Sequence, residues 1–235
     1  MKDQYFGDIN DYRKYGLLRC IIEACNFRIL VAWMLTRNDG RSDGKFIEYL
    51  NQPAQWSGYD QILFYGLREP LKSGAERKVR LIEKTKLIPN ARFFSDEIHD
   101  SASRREAWFS LLSEKAKDCD FIFLDPDNGL EVKSKRYGRK NSSKYLYWRE
   151  VEALWNSGKS LLIYQHFTRE KRTAFKQRLL KKIKEHTPNS ALDAFSTPYV
   201  VFFIALQPAH KKHLPHIRAL AQERWGDQIA PFTEQ

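Results

Sequence analysis

Nowhere in this 235-residue chain do about 18 apolar residues follow one another without interruption, which excludes a membrane protein built of spanning helices. A charged fraction of 29% and a mean hydropathy of −0.61 point the same way. Cysteine is scarce. Cys20, Cys25 and Cys119 are odd in number and set in apolar surroundings, so they read as reduced thiols packed as small hydrophobes, not as a disulfide framework. Zinc-type Cys–His spacing, a Walker-type phosphate loop and a Gly-x-Ser-x-Gly nucleophile turn are all missing. No internal repeat, low-complexity tract or linker interrupts the sequence, so residues 1–235 are expected to form a single domain. Met1-Lys2-Asp3-Gln4-Tyr5 carries no apolar core of a signal peptide, and the expected location is the cytoplasm.

What is present points to a folded chain with an anionic partner. Six Trp, eleven Tyr and fifteen Phe are far too many for a chain that cannot collapse, and 42% hydrophobic residues suffice for a sizeable core. Forty Lys and Arg against 29 Asp and Glu leave a net charge of +11. On a chain with no membrane segment, nucleic acid is the commonest partner for such a charge.

Leu17, Leu18, Ile21 and Ile22 recur at helical spacing within residues 11–25, behind candidate N-caps at Asp8, Asn10 and Asp11. Residues 27–35 form an apolar run of strand length without alternation, the pattern of a strand buried on both faces. It ends in a polar turn cluster over 36–44. Residues 59–67 read as strand or helix, 76–88 as helix, 91–95 as a short strand and 103–116 as helix. The apolar strand at 120–124 runs into Asp125-Pro126-Asp127-Asn128-Gly129, which cannot continue it. A helix over 148–155, a strand over 160–164 ending in Gln165-His166, a basic helix over 170–185, a strand over 200–206 and a helix over 213–224 complete the order. This alternation predicts an α/β protein with an open, twisted, mainly parallel sheet and helices on both faces. Ligands in such folds bind at the carboxyl ends of strands, where 36–42, 125–129 and Gln165-His166 lie.

Asp125, Asp127 and Asn128 place two carboxylates and an amide within four residues just past a strand. They suit either the exocyclic amine of a base or a divalent cation; the plainer alternative is a turn cap at Asp127 or Asn128. His166, at the neighbouring strand end, can serve as acid, base or structural hydrogen-bonding residue. Between 133 and 149 the cations Lys135, Arg136, Arg139, Lys140 and Lys144 interleave with Tyr137, Tyr145, Tyr147 and Trp148, in what reads as a mobile loop. Cations there can neutralise phosphates while aromatic faces stack on unpaired bases. Arg169 opens the second basic stretch, for which a solvated outer helix face is an equal reading.

With these motifs in view, the chain resembles the bacterial large-subunit ribosomal RNA adenine-N6 methyltransferases, within the S-adenosylmethionine-dependent Rossmann-like methyltransferases. Their opening Gly-Asn-x-x-Asp-x-x-Lys-His segment is similar to Gly7-Asp8-Ile9-Asn10-Asp11-Tyr12-Arg13-Lys14-Tyr15, with Asp11 and Lys14 matching and Tyr15 in place of His. Their glycine-rich turn falls on residues 36–41, matching at Gly40 and Arg41, and their Asp-Pro-Pro-Tyr turn falls on Asp125-Pro126-Asp127-Asn128. The resemblance implies a closing antiparallel hairpin over 194–197 and 200–206. It also implies a pocket at the ends of the first, fourth and fifth strands, which brings Asp125 and His166 close. It places Asp11, Lys14, Tyr15, Thr36, Gly40 and Asp96 on the side of S-adenosylmethionine. Met34 stands where members carry an acidic residue, and one glycine of the turn is left.

The expected function is that of a nucleic-acid-modifying enzyme, an S-adenosylmethionine-dependent methyltransferase acting on RNA or DNA. Asp125, Asp127, Asn128 and His166 would be its catalytic residues, and Lys135, Arg136, Tyr137, Arg139, Lys140, Lys144 and Arg169 its nucleic-acid contacts. No dedicated metal site is expected in that case. Two alternatives stay open: a nuclease in which Asp125, Asp127, Glu131 and His166 hold Mg²⁺ or Mn²⁺, and a nucleic-acid-binding protein without catalysis. The sequence is silent on oligomeric state.

Overall fold

The computed structural model describes residues 1–37, 44 and 46–233. In chain order they form α1 (Ile9–Cys25), β1 (Ile29–Ala32), α2 (Pro53–Trp56), α3 (Gln61–Lys72), α4 (Arg80–Thr85), β2 (Ala91–Phe94), α5 (Ala102–Lys115), β3 (Phe121–Leu124) and β4 (Gly129–Leu130). Then come β5 (Tyr145–Leu146), α6 (Trp148–Asn156), β6 (Ser160–His166), α7 (Arg172–His186), β7 (Ala191–Ser196), β8 (Val200–Leu206), α8 (Leu214–Trp225) and β9 (Ala230–Pro231). Seven strands make one sheet in the order β2-β1-β3-β6-β8-β7-β9, while β4 and β5 pair separately. β2, β1, β3 and β6 run parallel; β8, β7 and β9 pair antiparallel. This is a Rossmann-like α/β architecture with a C-terminal antiparallel edge. Among the described residues no helix is long and apolar enough to cross a membrane.

The central strands are buried on both faces, as their unalternated apolar runs imply. Ile29, Val31, Phe121, Phe123, Leu162 and Tyr164 face one core, shared with α1, α3 and α8. Leu30, Ala32, Ile122, Leu124, Leu161 and Ile163 face the other, shared with α5, α6 and α7. α1 is buried nearly all round because α8 lies against its outer side; a Cβ on Gly16 would overlap the Trp225 ring.

Several boundaries differ from expectation for local reasons. The first strand stops at Ala32 because Met34 turns the chain with φ +46, a conformation uncommon outside glycine. Of residues 59–67, those from Gln61 on prove helical, started by the Asp60 carboxylate accepting from Leu63 N at 3.0 Å. Only Arg80–Thr85 of 76–88 is helical, and Lys86 at φ +53 ends it. β6 continues through Gln165 and His166, which pair with Val201 and Val200 of β8.

The loop over 133–149 is pinned and not loose. Asp100 accepts from Asn141 N at 2.7 Å and Ser143 N at 2.8 Å. Arg105, fully buried, pairs with Glu150 at 2.7 Å and donates to the carbonyls of Ser142 and Tyr145.

Candidate active site

A cavity of about 580 Å³ opens over the carboxyl ends of β1, β3 and β6, on the side where α1 begins. β2 and β3 flank β1 on opposite sides, so this is the topological switch point of the sheet. Its walls include Asn10, Asp11 and Lys14 from α1, Asp125 to Asn128 after β3, Lys144 and Tyr145 from β5 and its approach, and His166, the last residue of β6, with Phe167 and Thr168 beyond it.

The floor is a buried charge cluster. Lys14 Nζ lies 2.8 Å from Asp11 Oδ1 and 2.7 Å from Asp125 Oδ2, and Tyr15 Oη donates to Asp11 Oδ2 at 3.0 Å. Burial pushes the Asp11 carboxyl up to about 6 although Lys14 opposes it. Burial alone would lower the Lys14 ammonium, but Asp11 and Asp125 outweigh it and hold it above the usual lysine range. The Tyr164 ring lies 5.0 Å from that ammonium.

Asp127 belongs to a second cluster. The Met1 amine lies 3.1 Å from its Oδ1, and Thr36 Oγ1 donates to its Oδ2 at 3.1 Å. Burial would raise Asp127, but the Met1 amine and Lys2 prevail and hold it below the usual carboxylate range. The same amine donates to Asp125 O at 3.1 Å.

The turn itself is held by Gln165, whose Oε1 accepts from Leu130 N at 2.7 Å and whose Nε2 donates to His166 O. Gly129 sits at φ +94, and a Cβ there would overlap the Gln165 amide. Asn128 N donates to Lys144 O at 2.8 Å, which brings the basic loop back to the cavity. The Asn128 side chain itself is exposed at the wall. The His166 ring meets Tyr164 edge-on at 5.1 Å. His166 is exposed at the cavity mouth, yet the protein on its inner side depresses the ring below the ordinary imidazole range, while Asp125 and Asp127 pull the other way and do not prevail. The imidazole is therefore neutral at neutral pH and able to accept a proton.

The expected residues are only partly brought together. Asp125, Asp127, Asn128, His166, Asp11, Lys14 and Lys144 line the cavity, with Tyr15 and Thr36 bonded behind them. Asp96 does not reach it: it follows β2, on the far side of β1, where its carbonyl accepts from Trp108 Nε1 at 2.9 Å. Gly40 lies outside the described residues. Tyr137 is taken up under the Arg149 guanidinium, 3.5 Å away, and beside Tyr147, leaving Tyr145 as the loop aromatic on the wall. Arg136, Arg139, Lys140 and Arg169 are exposed and make no ion pair among the described residues. Lys135 is half-buried, and its carbonyl accepts from Tyr147 Oη.

Sequence reasoning passed over Asn10 as a wall residue, and Phe46, Tyr164 and Phe167 altogether. Only Asn10 left a trace, as a candidate cap. Its amide nitrogen donates to Asp8 Oδ1 at 3.1 Å, and its buried Oδ1 has no donor. An acceptor left open on a cavity wall fits a ligand that carries an amino group, such as an amino acid or an aminated base. A divalent cation fits poorly. Among the described residues no three His, Cys, Asp or Glu side chains come together as ligands, and Glu131 points towards Trp148 and Lys182, away from the cavity.

No family model matches the chain, and no curated protein matches it. Fold and site together define an open α/β protein with a charged cavity at the sheet's switch point.

Proposed function

We propose that this protein is a nucleic-acid-modifying enzyme, in the first instance an S-adenosylmethionine-dependent methyltransferase acting on RNA or DNA. One observation carries the reading. Asp125, Asn128 and His166 converge on one cavity, and both basic stretches leave from its rim, at Lys144 and at Thr168. The open Asn10 acceptor and the Asn128 amide suit an amino-bearing acceptor group. Lys14 holds the Asp125 carboxylate in one orientation, and neutral His166 stands ready to take a proton released from the acceptor. S-adenosylmethionine, when bound, supplies an electrophilic methyl group; the chain's contribution is positioning and proton transfer.

Calorimetric titration with S-adenosylmethionine, and transfer of its labelled methyl group to bulk RNA and DNA, test this directly. Binding and transfer are expected, with transfer lost in Asp125→Ala. No heat and no thermal shift at millimolar cofactor would sink the methyltransferase reading.

A second reading, nucleic-acid binding without catalysis, is favoured by the closed network of Asp11, Lys14, Tyr15 and Asp125, whose polar atoms engage one another. It predicts binding that Asp125→Ala leaves intact, with no methyl transfer by the unaltered protein.

A further inference from the structure

Buried charges in folded proteins are paired with opposite charges, because an unpaired one gives up its hydration for nothing in return. Arg13 has no such partner. It is only 6% exposed, yet no carboxylate lies within ion-pair distance of it among the described residues. Its Nε and Nη2 both donate to one neutral acceptor, Gln228 Oε1, at 3.1 and 2.6 Å. Its Nη1 is buried with no hydrogen-bond partner, and the nearest compensation is the Trp56 ring, whose centre lies 5.9 Å from the guanidinium carbon. Asp8 is the carboxylate that bears on it most, and both Asp8 oxygens are already engaged, by Asn10 and by Phe46 N. Arg105 shows the contrast: buried as well, it has Glu150 and two carbonyls.

The place of Arg13 is informative. It lies one helical turn beyond Asn10 on the same face of α1, and Asn10 is on the cavity wall. Tyr199, near enough to Arg13 for a negative charge there to be felt, directly precedes Val200, the residue paired with His166. Tyr199 is 63% exposed and Phe46 is 70% exposed, so two large aromatic faces stand in solvent beside the cavity mouth.

We propose that Arg13 forms a phosphate-binding subsite beside the cavity, and that on a nucleic acid it takes the backbone phosphate adjoining the nucleotide held there. The second half rests on the nucleic-acid reading above. A phosphate oxygen supplies the missing counter-charge and the missing acceptor for Nη1 in a single contact, and guanidinium is the cation best matched to it. Tyr199 and Phe46 then offer faces for neighbouring unpaired bases.

The test measures binding of labelled single-stranded RNA and DNA of about a dozen nucleotides across a salt series, together with thermal unfolding in inorganic phosphate. Three proteins are compared: the unaltered chain, Arg13→Met and Tyr199→Glu. Tyr199→Glu alters an exposed tip and so keeps the test open if Arg13→Met folds poorly. Each variant is expected to weaken oligonucleotide binding about tenfold at low salt and to flatten the slope of log K against log salt by about 0.7, one phosphate contact on a single strand. Tyr199→Glu is also expected to raise the melting temperature by supplying the counter-ion from within, a gain that vanishes when Arg13→Met is added. Inorganic phosphate is expected to protect the unaltered protein and not Arg13→Met. Phosphate protection with no oligonucleotide binding keeps the subsite, identifies the free ion as its ligand and removes the nucleic-acid reading. Oligonucleotide binding whose slope neither variant changes, with no phosphate protection, overturns the subsite and leaves the nucleic-acid reading standing.

Discussion

Replacing Lys14 by methionine asks whether the cavity floor works as one electrostatic unit. The ammonium lies between Asp11 and Asp125, at 2.8 and 2.7 Å, and all three side chains are buried. Lys14→Met leaves two carboxylates in a low-dielectric interior without their cation. Removing one member of a buried ion pair costs about 3–5 kcal/mol, and that loss is expected at about pH 7.5.

Asp11 gives the loss a pH signature. Burial pushes its carboxyl from 3.8 up to about 6. The folded chain therefore binds this proton more tightly than the unfolded chain. The resulting stabilisation is fully present below 3.8 and is lost as pH rises through about 6. In the unaltered protein, acidifying from about pH 7.5 to about pH 5 recovers about 1 kcal/mol through Asp11. Without Lys14, at least one of the two carboxyls stays protonated in the folded chain across that window, and the same acidification is worth about 3 kcal/mol. The cost of Lys14→Met is thus expected to shrink by about 2 kcal/mol on going to the lower pH. Urea unfolding followed by tryptophan fluorescence at both pH values measures it. A cost below about 1 kcal/mol at the upper pH, the range of exposed ion pairs, refutes the reasoning, and so does an equal cost at both. Asp11→Asn added to Lys14→Met should recover part of the loss, since it removes one of the two stranded charges.

Gly129→Ala forces a Cβ into the Gln165 amide at φ +94 and should cost about 2 kcal/mol or more; a neutral effect in the same unfolding assay means the turn relaxes freely. If neutral His166 takes the proton, kcat rises with pH through a value below the ordinary 6.5, and His166→Gln removes that limb at a cost of about 10²–10⁴ in rate; a limb that persists in the variant assigns the proton to another group. Neutralising Arg136, Arg139 and Lys140 together should flatten the salt dependence of single-strand binding by about 2 units of slope, and an unchanged slope places the nucleic acid elsewhere.

The layered fold was legible because its signal is local. Residues 121–124 and 161–163 are apolar throughout, and only a strand covered on both faces uses such a run, so the parallel centre of the sheet follows from composition and order. The α3 region was ambiguous for the opposite reason: its short apolar segment fits either period, and the Asp60 cap and the packing under α1 decide for helix. Where β1 would end was hidden as well, since a positive φ at Met34 answers to the contacts around it and leaves no mark in residue type.

The site divides along the same line. Asp125, Asn128 and His166 announce themselves because each ends an apolar strand or lies in the turn that follows one, and strand ends of one parallel sheet face the same way. What the sequence could not show is which polar atoms are spent on one another. Lys14 and Asp125 stand 111 positions apart, and nothing in either segment says that the ammonium is committed to that carboxylate. Tyr137 and Tyr145 look equivalent along the loop, yet the Arg105–Glu150 pair and Arg149 fold the first away and leave the second on the wall. Asn10 Oδ1 and Arg13 Nη1, two of the buried atoms left without a hydrogen bond, emerge only after every bonded pair has been removed. A polar group's chemistry is set by residue type, but its availability is set by its neighbours in space. The acceptor on Asn10, on the cavity wall, and the donor on Arg13, one turn on along α1 and beside the cavity, are therefore the atoms on which a ligand should be sought first.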